Sequence, residues 1–225
     1  MNNFLRAIIM NDILKAARLD LSLIKPYAKK IWMVLAVPTV FSAINRSLMT
    51  EVSFAMCLIA MTAGYTFSIS EKNGMERLYG VLPISRKDMV LGRYLYTFSM
   101  GFLTVLFSIT VQPLVLRALG ETVRLTDICL AAVIGIFMYT LYTVFQLPGY
   151  YKFGAINGRI LIFVPTVGYL AVLLLISKFD LTNNPVITAL IGRPILSVIA
   201  VLVICIIANL LSIMVSINII RKKEV

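Results

Sequence analysis

Residues 65–96, YTFSISEKNGMERLYGVLPISRKDMVLGRYLY, decide how this chain is interpreted, because they hold a long polar connector between two strongly apolar segments. The chain has 225 residues, of which 60% are hydrophobic and 14% are charged. Soluble globular domains do not have this composition. The sequence therefore predicts an integral membrane protein in which residues 71–93 connect two spans.

Apolar runs of suitable length predict six membrane helices. About 20 apolar residues are needed to cross a hydrocarbon core about 30 Å thick. Because backbone amides in lipid must be hydrogen-bonded internally, and no alternating barrel pattern occurs, these runs are expected to be helices. We predict an all-α polytopic membrane protein with a single transmembrane domain over residues 1–225. The six spans are expected at residues 31–48, 52–70, 94–116, 128–147, 160–177 and 195–220.

The segment before the first span, residues 1–27, has an amphipathic helical pattern. On a helical wheel its apolar side chains fall in one arc, and polar ones such as Lys15 and Arg18 lie on the other side. This pattern predicts an interfacial helix on the inner membrane surface. A frayed cytoplasmic leader is the alternative, since Arg6 and Asp20 lie close to the apolar arc. A cleavable signal peptide is not expected, because charges are scattered through the segment.

The distribution of Lys and Arg predicts the orientation. The N-terminal segment, the connector and the C-terminal tail hold most of the 21 basic residues, and the positive-inside rule places these parts in the cytoplasm. A bacterial cytoplasmic membrane is the expected location. The formal net charge of +11 then reflects topology and attraction to anionic membrane lipids. A nucleic-acid partner is not expected, because the basic residues flank spans and do not form one face.

Residues typical of catalytic and metal sites are scarce. The chain has no histidine, which is the commonest general base and metal ligand. It also lacks the glycine-rich loop with Lys and Ser or Thr that holds nucleotide phosphates. Cys57, Cys129 and Cys205 all fall in predicted spans and are expected to be packing residues. We expect no enzyme activity, cofactor or metal in this chain.

The connector is predicted to contain a short helix between two turns. Residues 71–74 form a turn after the second span, and Gly80 ends the helical segment that follows. Ser85 and Asp88 then match a capping box, which begins the helix that continues into the third span.

This short helix would cross the end of the bundle and present one aromatic and two apolar side chains among charges. Its residues are Met75, Glu76, Arg77, Leu78 and Tyr79. A groove on a soluble partner could bind such a surface. A solvated loop without a partner is the alternative.

Two motifs resemble the membrane subunits of bacterial ABC-2 type exporters. The first consists of Phe67, Glu71-Lys72-Asn73, Leu82-Pro83-Ile84-Ser85-Arg86-Lys87, Val90 and Gly92-Arg93-Tyr94. The second is Leu147-Pro148-Gly149-Tyr150-Tyr151-Lys152-Phe153-Gly154 followed by Gly158-Arg159. With the six-span layout and the amphipathic start, the resemblance covers nearly the whole chain.

The resemblance implies a permease that pairs with a second copy or a related permease and with a separate ATPase subunit, which would bind the ATP. The connector between the second and third spans would be the coupling helix. The implied ATPase-coupling residues are Glu71, Lys72, Gly74, Met75, Glu76, Arg77, Leu78 and Tyr79.

The cargo is expected to be hydrophobic or amphipathic, such as an antimicrobial or toxin-like peptide moved outward. The middle of each predicted span carries Ser, Thr, Asn or Gln but no charged group that could bind a small ion. Bulky side chains at Phe107, Tyr139 and Tyr142 are candidates for the cargo path. A secondary carrier is a weaker alternative, because it would need an ionisable group within a span to bind its coupling ion. A non-transporting immunity or signalling partner in the membrane also fits the composition.

Overall fold

A computed structural model describes residues 2–75, 84–168 and 194–223, and every regular element in these ranges is helical. The α-helices are α1 Asn2–Ile24, α2 Ala28–Asn45, α3 Leu48–Thr62, α4 Gly64–Lys72, α5 Arg86–Ala118, α6 Leu125–Asn157 and α7 Pro194–Lys222. Short 3-10 helices lie at Lys25–Tyr27 and Gly158–Ile162. The predicted all-α class is confirmed for this part of the chain.

Five helical stretches in the described ranges are long and apolar enough to cross a membrane. They are Asp12–Asn45, Leu48–Lys72, Arg86–Ala118, Leu125–Gly168 and Ile195–Lys222. The first joins the predicted interfacial helix to the first predicted span. The fourth joins the fourth predicted span to the beginning of the fifth, whose remainder, residues 169–177, lies outside the described residues. The count of six spans stays a prediction.

The second predicted span, residues 52–70, is two helices and not one. The break lies at Ala63, whose N–H donates to the carbonyl of Ala60 at 3.1 Å. The hydroxyls of Thr62 and Thr66 donate to backbone carbonyls three residues earlier, at 2.7 and 2.9 Å. These hydroxyls satisfy carbonyls that the interrupted helix ladder would otherwise leave unpaired. We therefore expect the interruption at Ala63 to cost little free energy of folding.

The helix α1 packs on the bundle through the face that carries Asp20, one of its two acidic residues. Ala16 and Asp20 are buried, and a Cβ at Gly92 of α5 would lie 2.9 Å from the Ile13 carbonyl oxygen. Only a residue without a side chain allows this approach. The structure therefore packs α1 against α5, and the membrane-surface position of α1 stays a prediction.

A buried ion pair fixes α1 to α5. The guanidinium of Arg93 donates through Nε and Nη2 to the two carboxylate oxygens of Asp20, both at 3.1 Å. The two side chains are only 9% and 4% exposed. Two parallel charge-assisted hydrogen bonds of this kind are the strongest and most directional that a guanidinium makes. They anchor the N-terminal helix to α5, although Asp20 and Arg93 are 73 residues apart in sequence.

The opposite end of the bundle, where α2 meets α3, contains a second buried acidic residue. The sequence places Glu51 in a turn, but α3 already begins at Leu48, and Glu51 is only 2% exposed. Its Oε1 accepts a hydrogen bond from Asn45 at 2.8 Å, and its backbone carbonyl accepts one from Gln112 at 3.4 Å. Glu51 thus joins α2, α3 and α5 at this end.

We expect Asp20→Ala to destabilise the chain by about 3 kcal/mol, because it leaves the Arg93 charge buried without its counter-ion. Asp12→Ala is the matched control on the same helix, since Asp12 pairs with exposed Lys15 at the surface and its loss should cost less than about 0.5 kcal/mol. Denaturant unfolding in mild detergent compares the two. Equal losses would show that the buried pair is no more important than the surface pair.

Candidate functional site

The two sequence motifs meet at the connector end of the bundle, where α4 ends and α5 begins. The ring of Phe67 in α4 stacks on Tyr150 of α6 with centroids 5.0 Å apart and meets the edge of Tyr151 at 4.9 Å. Tyr150 fits because Gly64 and Gly158 lie against its ring, where a Cβ on either would come within 2.7 Å of a ring carbon. The two motifs, which are about 80 residues apart in sequence, therefore pack directly against each other.

Glu71 closes this structure through a hydrogen bond to a broken helix. Gly154 has φ 78° and ψ −179°, a conformation that is essentially restricted to glycine and that interrupts α6. The N–H of Ala155, the first residue after the break, donates to Glu71 Oε2 at 2.7 Å. A carboxylate at the start of a helical segment satisfies a free donor and interacts favourably with the helix dipole. We call the set Phe67, Glu71, Tyr150, Gly154 and Ala155 the junction.

The chain folds back over the junction after α6. Gly158–Ile162 places the Leu161 side chain against Gly149, where a Cβ would collide with it. Arg159 Nη2 then donates to the Ser68 hydroxyl of α4 at 3.0 Å. The end of α6 and the 3-10 helix after it therefore contact α4 at Gly64, Phe67, Ser68 and Glu71.

Arg93 connects the junction to the rest of this end. Its guanidinium carbon lies 4.2 Å from the centroid of the Phe67 ring, within the range of a cation–π interaction. Its Nη2 also lies 3.4 Å from the Ser70 hydroxyl. A single buried cation therefore contacts α1 through Asp20 and α4 through Phe67 and Ser70, while it belongs to α5.

Sequence reasoning did not identify this cluster. Arg93 counted only as a basic residue near a span and as part of a motif, and Asp20 only as an acidic residue close to an apolar arc. The sequence did contain a signal: Asp20 lies beside the apolar arc of an amphipathic helix, and Arg93 lies next to the beginning of a predicted span. Charges at such positions indicate a buried or functional pair.

The predicted coupling residues divide into two groups. Glu71 lies in the junction and Lys72 is the exposed last residue of α4, so the turn predicted over residues 71–74 begins only at Asn73. Gly74 lies in this turn with a positive φ of 60°. Met75 is half-buried. The other four, Glu76, Arg77, Leu78 and Tyr79, lie outside the described residues.

The predicted helix start after the connector is confirmed, with Ser85 as the N-cap of α5. The Asp88 carboxylate pairs with the Ser85 hydroxyl, whereas a complete capping box would pair it with the Ser85 N–H. The Ser85 hydroxyl accepts a hydrogen bond from the Asp88 N–H at 3.2 Å and donates to the Asp88 carboxylate at 2.6 Å. α5 then continues for 33 residues to Ala118. An element of this length can transmit a displacement of its first turn to the opposite end of the bundle as a rigid body.

The three candidate cargo-path residues lie in or against the core. Tyr139 and Tyr142 are 6% and 7% exposed, and their hydroxyls bond to the Thr97 carbonyl at 2.6 Å and the Thr166 hydroxyl at 2.8 Å. Phe107 is half-buried against the same cluster. In a single chain these side chains pack helices together, so their role in a cargo path stays a prediction. Within the described ranges, no group of three or more His, Cys, Asp or Glu residues could hold a metal.

Comparison with known families agrees with the assembled motifs. A family model described as "ABC-2 family transporter protein" matches residues 17–221. No curated protein and no solved structure matches the chain. The matched region includes Asp20, Arg93 and both motifs of the junction. The chain therefore belongs to the ABC-2 family of transporter proteins.

Proposed function

We propose that this chain exports hydrophobic or amphipathic cargo, with its energy supplied by a separate ATPase subunit that docks on the connector. Membership of the ABC-2 family makes the chain a membrane permease of an ABC transporter. It favours an ATP-driven permease over a secondary carrier or a non-transporting membrane partner. Export, the cargo class and the docking position are the proposed part.

The junction is the observation that carries the proposal. The residues before the connector end in α4, which is bonded to α6 through Glu71, and the residues after it begin α5, which is bonded to α1 and α4 through Arg93. A force applied to the connector would therefore reach four helices. Closure of two ATPase subunits would supply such a force as a rigid-body displacement.

The positions of the buried charges support the cargo class. Among the described residues, Asp20 and Arg93 are buried at the connector end and Glu51 at the opposite end, whereas the other buried polar side chains are neutral. Small hydrophilic ions would need compensating charges in the membrane interior. Amphipathic peptides and lipids do not, because their charged part can stay at the membrane surface.

The packing of the single bundle supports a pathway between two permeases. Tyr139 and Tyr142 fill the space between helices in one chain, so the interior of the bundle is a packed core. Two copies, or this chain and a related one, would enclose cargo between them.

We expect Gly154→Ala to abolish most cargo-stimulated ATPase activity of the assembled complex, because the alanine forces the α6 break into a strained conformation that costs about 1–3 kcal/mol. Gly120→Ala is the matched control, since Gly120 also has a positive φ, 85°, but lies in a loop at the opposite end with open space around it. The measurement is ATPase activity of the reconstituted complex with and without cargo.

A second variant separates strain from the hydrogen bond. Glu71→Ala leaves the Ala155 N–H without its acceptor, at a cost of about 1–3 kcal/mol, and should also weaken stimulation while the ATPase remains bound. Normal stimulation in both Glu71→Ala and Gly154→Ala, or equal losses in Gly154→Ala and Gly120→Ala, would remove the junction from the coupling route.

The proposed orientation places both termini and the connector in the cytoplasm. In a chain whose native cysteines are replaced by alanine, Lys223→Cys should resist an impermeant thiol reagent in intact cells, and Thr122→Cys should react. Permeabilised cells, in which both positions should react, serve as the control. Labelling at position 223 in sealed cells would reverse the orientation.

Amphipathic peptides or lipids should stimulate the ATPase activity of the complex in lipid, whereas sugars, free amino acids and metal ions should not. Phe107→Ala should change the preference among amphipathic cargoes more than it changes the basal rate, because it alters contact area without moving a charge. Stimulation by a small hydrophilic solute alone, with amphipathic compounds inactive, would contradict the proposed cargo class.

A further inference from the structure

A cavity of about 340 Å³ opens between the first turn of α5 and the last turns of α7. Its walls combine Ser85 with charged and apolar side chains. The charged ones are Arg86, Lys87 and Arg221, and the apolar ones are Val90, Ile217 and Ile220. The lining residues belong to α5, its immediate N-cap and α7, whereas the junction residues belong to α4 and α6. The apolar wall of the cavity nevertheless packs in the same hydrophobic cluster as Phe67, Tyr150 and Ala155.

The charge of the cavity is positive. Among the described residues, no carboxylate forms an ion pair with Lys87 or Arg221. The acidic residue closest in sequence, Asp88, is engaged by the Ser85 hydroxyl at 2.6 Å. Cations of two helices therefore converge on one concave site, which is the arrangement that binds phosphate oxygens.

The cavity lies at the depth at which lipid headgroups are found in a membrane. Both helices are among the stretches that can cross a membrane, and the cavity lies at their shared end, where the membrane surface must be. One turn further in, the Tyr94 hydroxyl bonds to Ser216 at 2.9 Å and closes the gap between α5 and α7. Among the described residues this contact closes the inner end of the cavity, so a ligand would enter from the surface or from the side.

The side of the cavity continues into an exposed apolar strip on α7. Met214 and Leu210 lie one and two turns from Ile217 towards the middle of the membrane, and they are 60% and 56% exposed. An acyl chain could run along this strip while its headgroup occupies the cavity. Free phosphate would gain nothing from the strip or from the apolar wall.

We propose that this cavity binds the phosphate headgroup of an anionic phospholipid, with Lys87 and Arg221 contacting the phosphate and α7 contacting an acyl chain. Basic pockets between membrane helices at the membrane surface are suited to such headgroups. The site depends neither on the transported cargo nor on which face of the membrane the connector end occupies.

Lipid binding to the purified full-length chain tests the proposal. Native mass spectrometry in detergent should show retention of phosphatidylglycerol in preference to phosphatidylcholine. The double variant Lys87→Gln/Arg221→Gln should lower the phosphatidylglycerol affinity by about 10- to 30-fold, as expected for two cations at a membrane surface. Retained preference in this variant would overturn the proposal.

Two further variants make the result specific to the cavity. Lys222→Gln/Lys223→Gln removes the same number of charges near the end of α7, but neither side chain lines the cavity, and it should keep the lipid preference. Ile220→Trp fills the cavity without changing charge and should lose the preference, even if the double variant folds poorly. Equal effects of the two charge-removing variants would mean that general surface charge binds the lipid.

A competition arm distinguishes the two sources of phosphate. Millimolar inorganic phosphate should leave phosphatidylglycerol bound, because it lacks the acyl contact along α7. Displacement of the lipid by inorganic phosphate, with the phosphate binding abolished by Lys87→Gln/Arg221→Gln, would assign the cavity to a soluble anion and overturn the lipid assignment.

Discussion

The buried guanidinium of Arg93 is the interaction on which the connector end depends. An unpaired cation at this depth would cost several kcal/mol, so the structure around it must supply Asp20 from α1 and the Phe67 ring from α4. This requirement explains why α1 packs closely on α5 and why position 92 cannot carry a side chain. It also explains why an otherwise amphipathic helix places a carboxylate on its buried face. One charge therefore determines how three helices are arranged.

Two interruptions of the helices lie close to this buried cluster. Ala63 interrupts the path from α3 to α4, and Gly154 interrupts α6, both near the connector end. Hydroxyls satisfy the first break and Glu71 satisfies the second, so each bend is stable without a continuous helix ladder. Between them, α4 and the end of α6 are held together by stacked aromatic rings. In the proposed mechanism, Gly154, the break with non-helical φ and ψ, would absorb a displacement of the connector end.

Local features of the fold could be predicted from the sequence, whereas pairings across the bundle could not. The helical class, the N-cap at Ser85 and the turn at Gly74 each depend on a few neighbouring residues. The partner of Asp20 lies 73 residues away, and nothing in a single sequence specifies which of many basic residues it meets. Glu71 was predicted at the correct end of the bundle, but its bond to α6 depends on the break at Gly154. The burial of Tyr139 likewise depends on helix contacts that composition does not reveal.

The first turns of α5 carry both Arg93, which contacts the junction through Phe67, and one wall of the proposed lipid site. In the proposed mechanism this arrangement links energy input to the membrane. On one side of the helix, Arg93 is held by α1 and α4. On another, Lys87 faces the cavity shared with α7. In the proposed mechanism the connector pulls on α5 from its capped end at Ser85, so a lipid bound between α5 and α7 would resist or guide the same displacement. Because ligands shift a conformational equilibrium only through different affinities for its states, the lipid would influence coupling to the extent that the cavity changes shape when α5 moves.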